Sequence, residues 1–337
     1  MNLRRGLFGG SRRRTGGEHL REHLAAIYGA PVAVHGEIDF TEKVAVLVYH
    51  RPEPVPYYLF VTHGMSRTNS SLPVAGTQTE LTLRVSADPE PGTPPRWPAD
   101  QLRALATRAP IEPGHYIDLH KPVCEGTRLN GFLFAADPEL PMCDAPTGRV
   151  RFTTAVGVTA DELDAALTWD PSAFIAAFIQ VDPLGLTAPL RQSMLSDARF
   201  HTQLTTRRAV EGSRISVVSS SYFDVDPSGR IDMTIHAAAH LLRAARWRFP
   251  YGRDFAVVSD EAWARFIPDP TATDTTVDFH PAVPENRRHR IVAEPPHLSV
   301  TLTEKASHEL LAVLDTVPGT YRMTTAPLVF HVIDPTR

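Results

Sequence analysis

The sequence predicts an α+β protein of two lobes, each a mixed or antiparallel sheet packed with a few helices. Three observations predict it. The chain has 337 residues, 42% of them hydrophobic, and at roughly 100 to 200 residues per domain this length suggests two bodies, each able to bury its own core. Its 30 prolines are about twice the ordinary ~5% share and break it into short runs that favour strands and turns over long helices. Both halves also place strand-like runs ahead of a capped helix. On this reading residues 1–17 form a flexible basic tail, 18–195 an N-terminal domain, 196–212 a linker region and 213–337 a C-terminal domain.

The elements follow in order. Leu20, Leu24 and Ile27 recur at i, i+4 and i+7, and Gly29 and Pro31 supply a stop, which predicts a short amphipathic helix over 18–28. Residues 44–50 and 57–65 are β-branched and aromatic runs parted by Pro52, Pro54 and Pro56. In 79–86, apolar Leu81, Leu83 and Val85 alternate with polar neighbours, so an antiparallel sheet with one wet face is expected. Trp97-Pro98-Ala99-Asp100 opens a helix to about residue 108, with proline in its first turn, where a missing N–H is harmless. Strands are predicted at 115–120, 131–136 and 149–158. Thr159-Ala160-Asp161-Glu162 has the form of a capping box and starts a helix to about Trp169, and Pro171 starts another.

Between about 182 and 212 the pattern weakens into polar and basic residues, which suits an interdomain connection. A strand is predicted over 215–225, and the turn Asp226-Pro227-Ser228-Gly229 joins it to 230–236 as a hairpin. Residues 268–296 are expected to be a long loop. A strand at 297–303, a helix at 304–315 capped by Thr303, and a return to the sheet at 321–333 complete the chain.

Composition excludes several classes. The 34 Lys+Arg against 38 Asp+Glu leave a net charge of −4, which does not suit a basic nucleic-acid binder. Without Arg4, Arg5, Arg12, Arg13 and Arg14 of the tail, the body stands at about −9, which favours basic partners. The longest apolar stretch, residues 44–49, falls far short of the ~20 residues that span a bilayer, so no membrane segment is expected. The start has a twin-arginine look but no apolar run after it. Cys124 and Cys143 are too few and too far apart for a disulfide framework, so a reducing cytoplasm is expected.

Chemical motifs are sparse. His236 and His240 stand at i, i+4, the spacing of a metal-binding pair, but the glutamate of a His-Glu-x-x-His motif and a third ligand are missing. Asp224-x-Asp226-x-Ser228-Gly229 opens like a calcium loop, yet position 12 is Ile235 and the flanks read as strands, so a hairpin turn is expected. Phosphate-binding glycine loops and serine elbows are absent. Cys124 and Cys143, with His115 and His120 nearby in sequence, read as structural thiols rather than nucleophiles. No catalytic residue, metal ligand or cofactor is therefore predicted. Strand alternation sends His115, Ile117 and Leu119 to one face and Tyr116, Asp118 and His120 to the other, which makes the polar face a solvated or partner-binding surface. Arg243, Arg246, Arg248 and Arg253 interleave with Trp247, Phe249 and Tyr251, a pattern suited to an interdomain or protein interface.

Several segments together resemble a known family. They are Glu80-Leu81-Thr82-Leu83-Arg84, Pro94-Pro95-Arg96-Trp97-Pro98-Ala99-Asp100-Gln101-Leu102, Pro113 through Pro122, Asp137-Pro138-Glu139-Leu140, Gly148 through Phe152, Val156 through Leu163, and Trp169. They run in the order and spacing of the Suppressor of fused family over about residues 40–190. Gly252-Arg253-Asp254-Phe255 and the run 298–314 extend the likeness into the second half. The resemblance implies a non-enzymatic, two-lobed protein-binding protein, whose animal relatives clamp a short extended peptide of Gli-type transcription factors between the lobes by strand addition. This chain departs from that groove at His115, Ala136 and Arg108, which argues against the same peptide.

The Ala-, Arg- and Pro-rich composition suggests a high-GC bacterial gene, and bacterial members of the family serve as immunity proteins against polymorphic toxins. The resemblance thus implies a partner that is a toxin domain with a basic surface, and neither nucleic acid nor membrane. The expected site is a cleft floored by Tyr116, Asp118 and His120 and walled by Arg246, Trp247 and Arg253. A regulatory scaffold that sequesters a transcription factor, or a metal-dependent hydrolase, are the alternatives.

Overall fold

The computed structural model describes residues 16–36, 44–66, 78–90, 92–107, 111–146, 148–284 and 294–334. All but the last two residues of the basic tail lie outside them. The chain divides into two compact units, one of residues 1–163 with 171–196 and one of residues 164–170 with 197–337.

The first unit holds α1 (Gly16–Tyr28), β1 (Ala33–His35), β2 (Ala45–Arg51), β3 (Tyr57–His63), β4 (Thr79–Ser86), α2 (Trp97–Leu105), β5 (Tyr116–Asp118), β6 (Leu129–Ala136), β7 (Cys143–Ala145) and β8 (Gly148–Thr159). The division falls inside α3 (Ala160–Leu167), and α4 (Pro171–Val181) belongs to this unit again. Its eight-stranded sheet runs β1-β2-β3-β4-β8-β6-β5, with β7 attached to β8. Among the described residues only the β4–β8 strand pair in it is parallel.

Strand alternation fills two cores. Val46 and Val48 of β2 pack with Ala99, Leu102 and Leu105 of α2, while Leu47 and Tyr49 pack with Leu20 and Leu24 of α1 and with Val150 and Phe152. Both faces of the sheet are therefore covered, which corrects the expected wet face. The polar residues of β4 lie on a buried face because each finds a partner there. Glu80, 0% exposed, accepts from the hydroxyls of Thr62 and Ser66 at 2.6 Å each and from the backbone N–H groups of Gly64, Met65 and Ser66. Arg84, also 0% exposed, donates through Nη1 and Nη2 to Asp137 at 2.8 and 2.7 Å and through Nη2 to Glu139 at 3.1 Å.

Burial pushes the Asp137 carboxyl up, but the hydrogen bonds and charge of Arg84 outweigh it and hold the group below the ordinary carboxylate range. Burial, then the hydrogen bond to Glu139, pushes the Tyr57 hydroxyl up to about 12. Half of the predicted capping box is present. The Thr159 N–H donates to Glu162 at 2.9 Å, while the Thr159 hydroxyl turns to Asp161. Glu162 in turn pairs with Arg191 at 2.5 Å.

The second unit holds α5 (Ala198–Glu211), β9 (Val217–Ser219), β10 (Phe223–Val225), β11 (Arg230–Thr234), α6 (Ile235–Trp247), β12 (Phe255–Val258), β13 (Trp263–Pro268), β14 (Thr276–His280), β15 (His297–Leu302), α7 (Glu304–Val313), β16 (Gly319–Arg322) and β17 (Val329–Ile333). They form a four-stranded sheet, β10-β11-β17-β16, and a five-stranded sheet, β14-β15-β13-β12-β9. One core joins the two sheets through Phe266, Phe330, Leu241 of α6 and Leu310 of α7.

Three sequence expectations are revised here. Residues 215–225 form two strands, because Ser220 turns the chain from one sheet to the other, with its N–H bonded to Val258 and its hydroxyl to the carbonyl of Tyr222. The expected linker, 196–212, carries α5, capped by Asp197, whose carboxylate accepts from the N–H groups of Arg199 and Phe200. Only Phe200 and Leu204 of α5 are buried, so its apolar stripe is too thin to read by periodicity. The expected loop 268–296 contains β14, an edge strand whose residues are all exposed or half-buried.

The hairpin of β10 and β11 is present. At its turn Asp226 Oδ1 accepts from the N–H of Ser228, the hydroxyl of Ser228 and the N–H of Arg230, which engages the carboxylate in the turn itself. The Thr234 hydroxyl caps α6 by accepting from Ala237 N–H at 3.2 Å. Thr234→Ala is expected to cost about 1 kcal/mol, read as faster amide exchange in the first turn of α6.

Candidate functional site

β5 is the terminal strand of the eight-stranded sheet. It forms because Ile117 and Leu119 pack on the apolar core while Tyr116 and Asp118 alternate to the other side. The carbonyl of His115 accepts from Phe134 N–H at 3.1 Å and Leu119 N–H donates to the carbonyl of Asn130 at 3.0 Å. In an antiparallel ladder alternate residues turn both backbone groups to the same side, so Tyr116 and Asp118 direct theirs away from β6.

Asp118 ends the strand. Its carboxylate accepts from His120 N–H at 2.7 Å and lies 3.3 Å from the His120 ring nitrogen Nδ1. His120 itself adopts φ 53°, a left-handed conformation that histidine tolerates in tight turns. Tyr116, Asp118 and His120 are thus brought together at one sheet edge. Sequence reasoning missed Gly131, which pairs with Asp118 across the ladder. A β-carbon on Gly131 would lie 2.4 Å from the carbonyl oxygen of Ile117, so only glycine lets β5 sit this close. The signal was available, since a lone glycine within a strand marks close approach.

Of the residues at which the chain departs from the family groove, His115 and Ala136 are exposed, and Arg108 lies outside the described residues. Cys124 and Cys143 are free thiols, and burial pushes both up from the ordinary thiol range.

Arg246, Trp247 and Arg253 belong to the second unit. Arg246 is exposed and forms no ion pair with a described residue. The other two are engaged by their own unit. The Arg208 guanidinium lies 4.2 Å over the Trp247 ring, and Arg253 donates to the carbonyls of Glu211 at 2.7 Å and Ser213 at 3.3 Å. Arg248 donates to the same Ser213 carbonyl at 3.0 Å, and Arg243 pairs with Asp164 at 2.8 Å. The arginine–aromatic run therefore ties α5 and the segment after it to α6.

His236 and His240 do share a helix face, with ring centroids 4.6 Å apart. Burial first, then the neighbouring His236 and Arg243, pushes His240 down to about 3, so this imidazole is neutral at pH 7. Among the described residues no group of three or more His, Cys, Asp or Glu side chains could hold a metal ion, and no helix is long and apolar enough to cross a membrane.

The fold and the edge define a mixed α+β protein of two units, the first presenting a terminal strand closed by an aspartate–histidine turn. Residues 41–192 match the family "Suppressor of fused protein (SUFU)", and over that segment the chain is similar to Suppressor of fused proteins. It is 27% identical over 153 residues to the Suppressor of fused homolog of Homo sapiens, a match covering 42% of this chain and 32% of that protein. The Mus musculus homolog matches to the same extent. The match thus spans about a third of the length of these relatives. The fold is that of the Drosophila Suppressor of Fused crystal structure, with a TM-score of 0.64 at 15% identity over 94% of this chain and 96% of that one. A chain of the Sufu–Fu complex crystal structure aligns with a TM-score of 0.50 at 22% identity, covering 57% of this chain and 96% of that one.

Proposed function

We propose that the chain is a non-enzymatic protein-binding protein that takes up an extended segment of its partner by strand addition along β5. The observation that carries this reading is the terminal place of β5 in its sheet. An edge strand offers backbone donors and acceptors in register, and pockets beside it read alternate side chains. Tyr116, Asp118 and His120 supply the polar side chains of that edge. Arg246, with Trp247 and Arg253 holding its surroundings, supplies a second patch on the other unit. One similar structure is the Sufu–Fu complex, which supports a protein as the partner.

The partner is a toxin domain with a basic surface, and the chain is its cytoplasmic immunity protein. The net charge of −4 favours such a partner by steering its approach, and an inhibitor that occludes needs complementary surface rather than catalytic groups. A tagged pull-down from the native host at moderate salt, followed by mass spectrometry, tests this. Recovery of the toxin domain of a larger secreted protein supports the immunity reading, while recovery of a DNA-binding protein replaces it with sequestration of a transcription factor.

The mode of binding has its own test. Tyr116→Pro removes an outward N–H and leaves the β6 side of the ladder intact. It is expected to weaken the captured partner by about tenfold, or 1.4 kcal/mol, beyond the effect of Tyr116→Ala. Equal binding by the two variants would show that the partner does not use the β5 backbone.

A further inference from the structure

The five-stranded sheet of the second unit ends at β14, which at 5 residues is the longest terminal strand of the described sheets. The direction of its backbone groups follows from the far side of β15. Trp263 N–H donates to the Pro296 carbonyl at 3.3 Å and Asp269 N–H to the Leu302 carbonyl at 2.8 Å, so the even-numbered residues of β15 serve β13. His297, Ser299 and Thr301 are left to bond with their partners His280, Asp278 and Thr276 of β14. The alternate residues of β14, Val277 and Phe279, therefore direct N–H and C=O to the open edge, where no described residue accepts or donates to them.

The two faces of this edge differ in chemistry. Val277 and Phe279 pack on the apolar core yet stay half-buried, so apolar side chains of an added strand would complete their burial. On the other face Thr276, Asp278 and His280 are exposed. Asp278 forms no ion pair with a described residue. The cation in its row across the sheet, Arg265, is held by Asp254, and Asp274 adds a second exposed carboxylate just before the strand. His280 stacks on His297, with centroids 4.4 Å apart at 16°, and His297 stacks on Trp263 at 3.9 Å and 10°. This row of rings stops at His280, whose outer face has no strand beside it and is open to one more planar group.

We infer that β14 takes up an extended basic segment of a partner protein as an added strand, with apolar residues over Val277 and Phe279, a lysine or arginine beside Asp278 and a planar side chain on His280. Backbone bonds to Val277 and Phe279 supply the ladder, and the alternate side chains supply the choice of sequence. Charge selects this occupant over a second copy, because twofold pairing about Asp278 would set that carboxylate against its own copy. The edge belongs to the second unit and the inference stands without strand addition at β5.

Amide exchange of the full chain with the amidated peptide Lys-Trp-Val-Arg-Val-Thr-Lys tests it. In antiparallel register this probe sets tryptophan on His280, arginine beside Asp278 and valines over Phe279 and Val277. The N–H groups of Val277 and Phe279 are expected to exchange freely in the free chain and to slow about tenfold at a peptide concentration about ten times its Kd, with one peptide bound per chain by calorimetry. N-methylation of both valines, which removes the donors facing this edge, should abolish that protection. Asp278→Lys should weaken binding about tenfold, and because Asp278 is exposed the reversal spares the fold, as circular dichroism would verify. Unchanged affinity in Asp278→Lys, equal binding of the N-methylated peptide, or protection that appears at other amides in place of these would each overturn the proposal. So would amides of Val277 and Phe279 already protected in the free chain, since a second copy or another part of the chain would then occupy the edge.

Discussion

Arg84→Met is expected to lower the stability of the first unit by ~3–5 kcal/mol, the cost of stranding buried charge without its partner. Asp137 is the group stranded, for its side chain is 0% exposed, as is that of Arg84. The methionine fills much of the arginine stem but cannot donate to a carboxylate, so Asp137 keeps only the Thr82 hydroxyl at 2.5 Å and the N–H groups of Glu139 and Leu140. Glu139 loses the same guanidinium but retains Tyr57 at 2.5 Å and partial contact with water. Amide exchange in β4 and β8 reads the loss locally, and a variant as protected as the parent would show that the ion pair does not hold this sheet together.

The pH dependence gives the same prediction a sign. In the parent, Asp137 lies below the ordinary carboxylate range, so the unfolded chain takes up its proton first as pH falls. Its contribution is complete above the unfolded value of ~3.9 and is lost as pH drops through the folded value. In Arg84→Met the order is expected to reverse, because burial, the largest influence on this carboxyl, is then opposed only by the hydrogen bonds from Thr82 and the backbone and no longer by the guanidinium. The variant's deficit is therefore greatest at pH 7 and shrinks on acidification toward pH ~4 as Asp137 becomes neutral. Parallel stability curves for the two proteins across that range would contradict this account.

The same network shows where the sequence could be read and where it could not. The alternation of 79–86 announced a strand, and β4 spans those residues. It also announced a wet face, because Glu80, Thr82 and Arg84 are polar and their partners lie elsewhere in the chain. Arg84 meets Asp137 and Glu139 at separations of 53 and 55 residues, and no local pattern signals such a meeting. α5 and β14 were hidden for a different reason. Each is half-solvated, so neither carries enough apolar residues to show its period. Caps and turns, by contrast, are local chemistry. Thr303 before α7 and the Asp226–Gly229 turn could be read directly, as they depend on neighbours within four residues. At the candidate site, the alternation of Tyr116, Ile117 and Asp118 was legible, whereas the Arg–aromatic run disclosed its composition but not its employment. Trp247 and Arg253 are held by Arg208, Glu211 and Ser213, which only the fold brings near.

Gly131→Ala is expected to detach β5 from the sheet while the remaining strands stay paired. The added methyl would meet the Ile117 carbonyl oxygen at 2.4 Å and the Leu163 side chain at 3.0 Å. The first of these atoms is backbone, so β5 itself must move. Overpacking of this kind costs ~1–3 kcal/mol, and here the cost falls on a three-residue strand that has one neighbour in the sheet order. If the partner pairs with β5, the outward bonds of Tyr116 and Asp118 are displaced together. Loss of two to three such bonds at ~1 kcal/mol each corresponds to about a hundredfold in affinity. This exceeds the effect of Tyr116→Pro, which removes one donor and leaves the strand in place. Amide exchange should rise at Leu119 and Phe134, whose N–H groups bond across the β5–β6 ladder, and stay unchanged in β2 and β3. Binding that persists while those amides exchange freely would place the partner elsewhere on the molecule, since a displaced strand cannot template an added one.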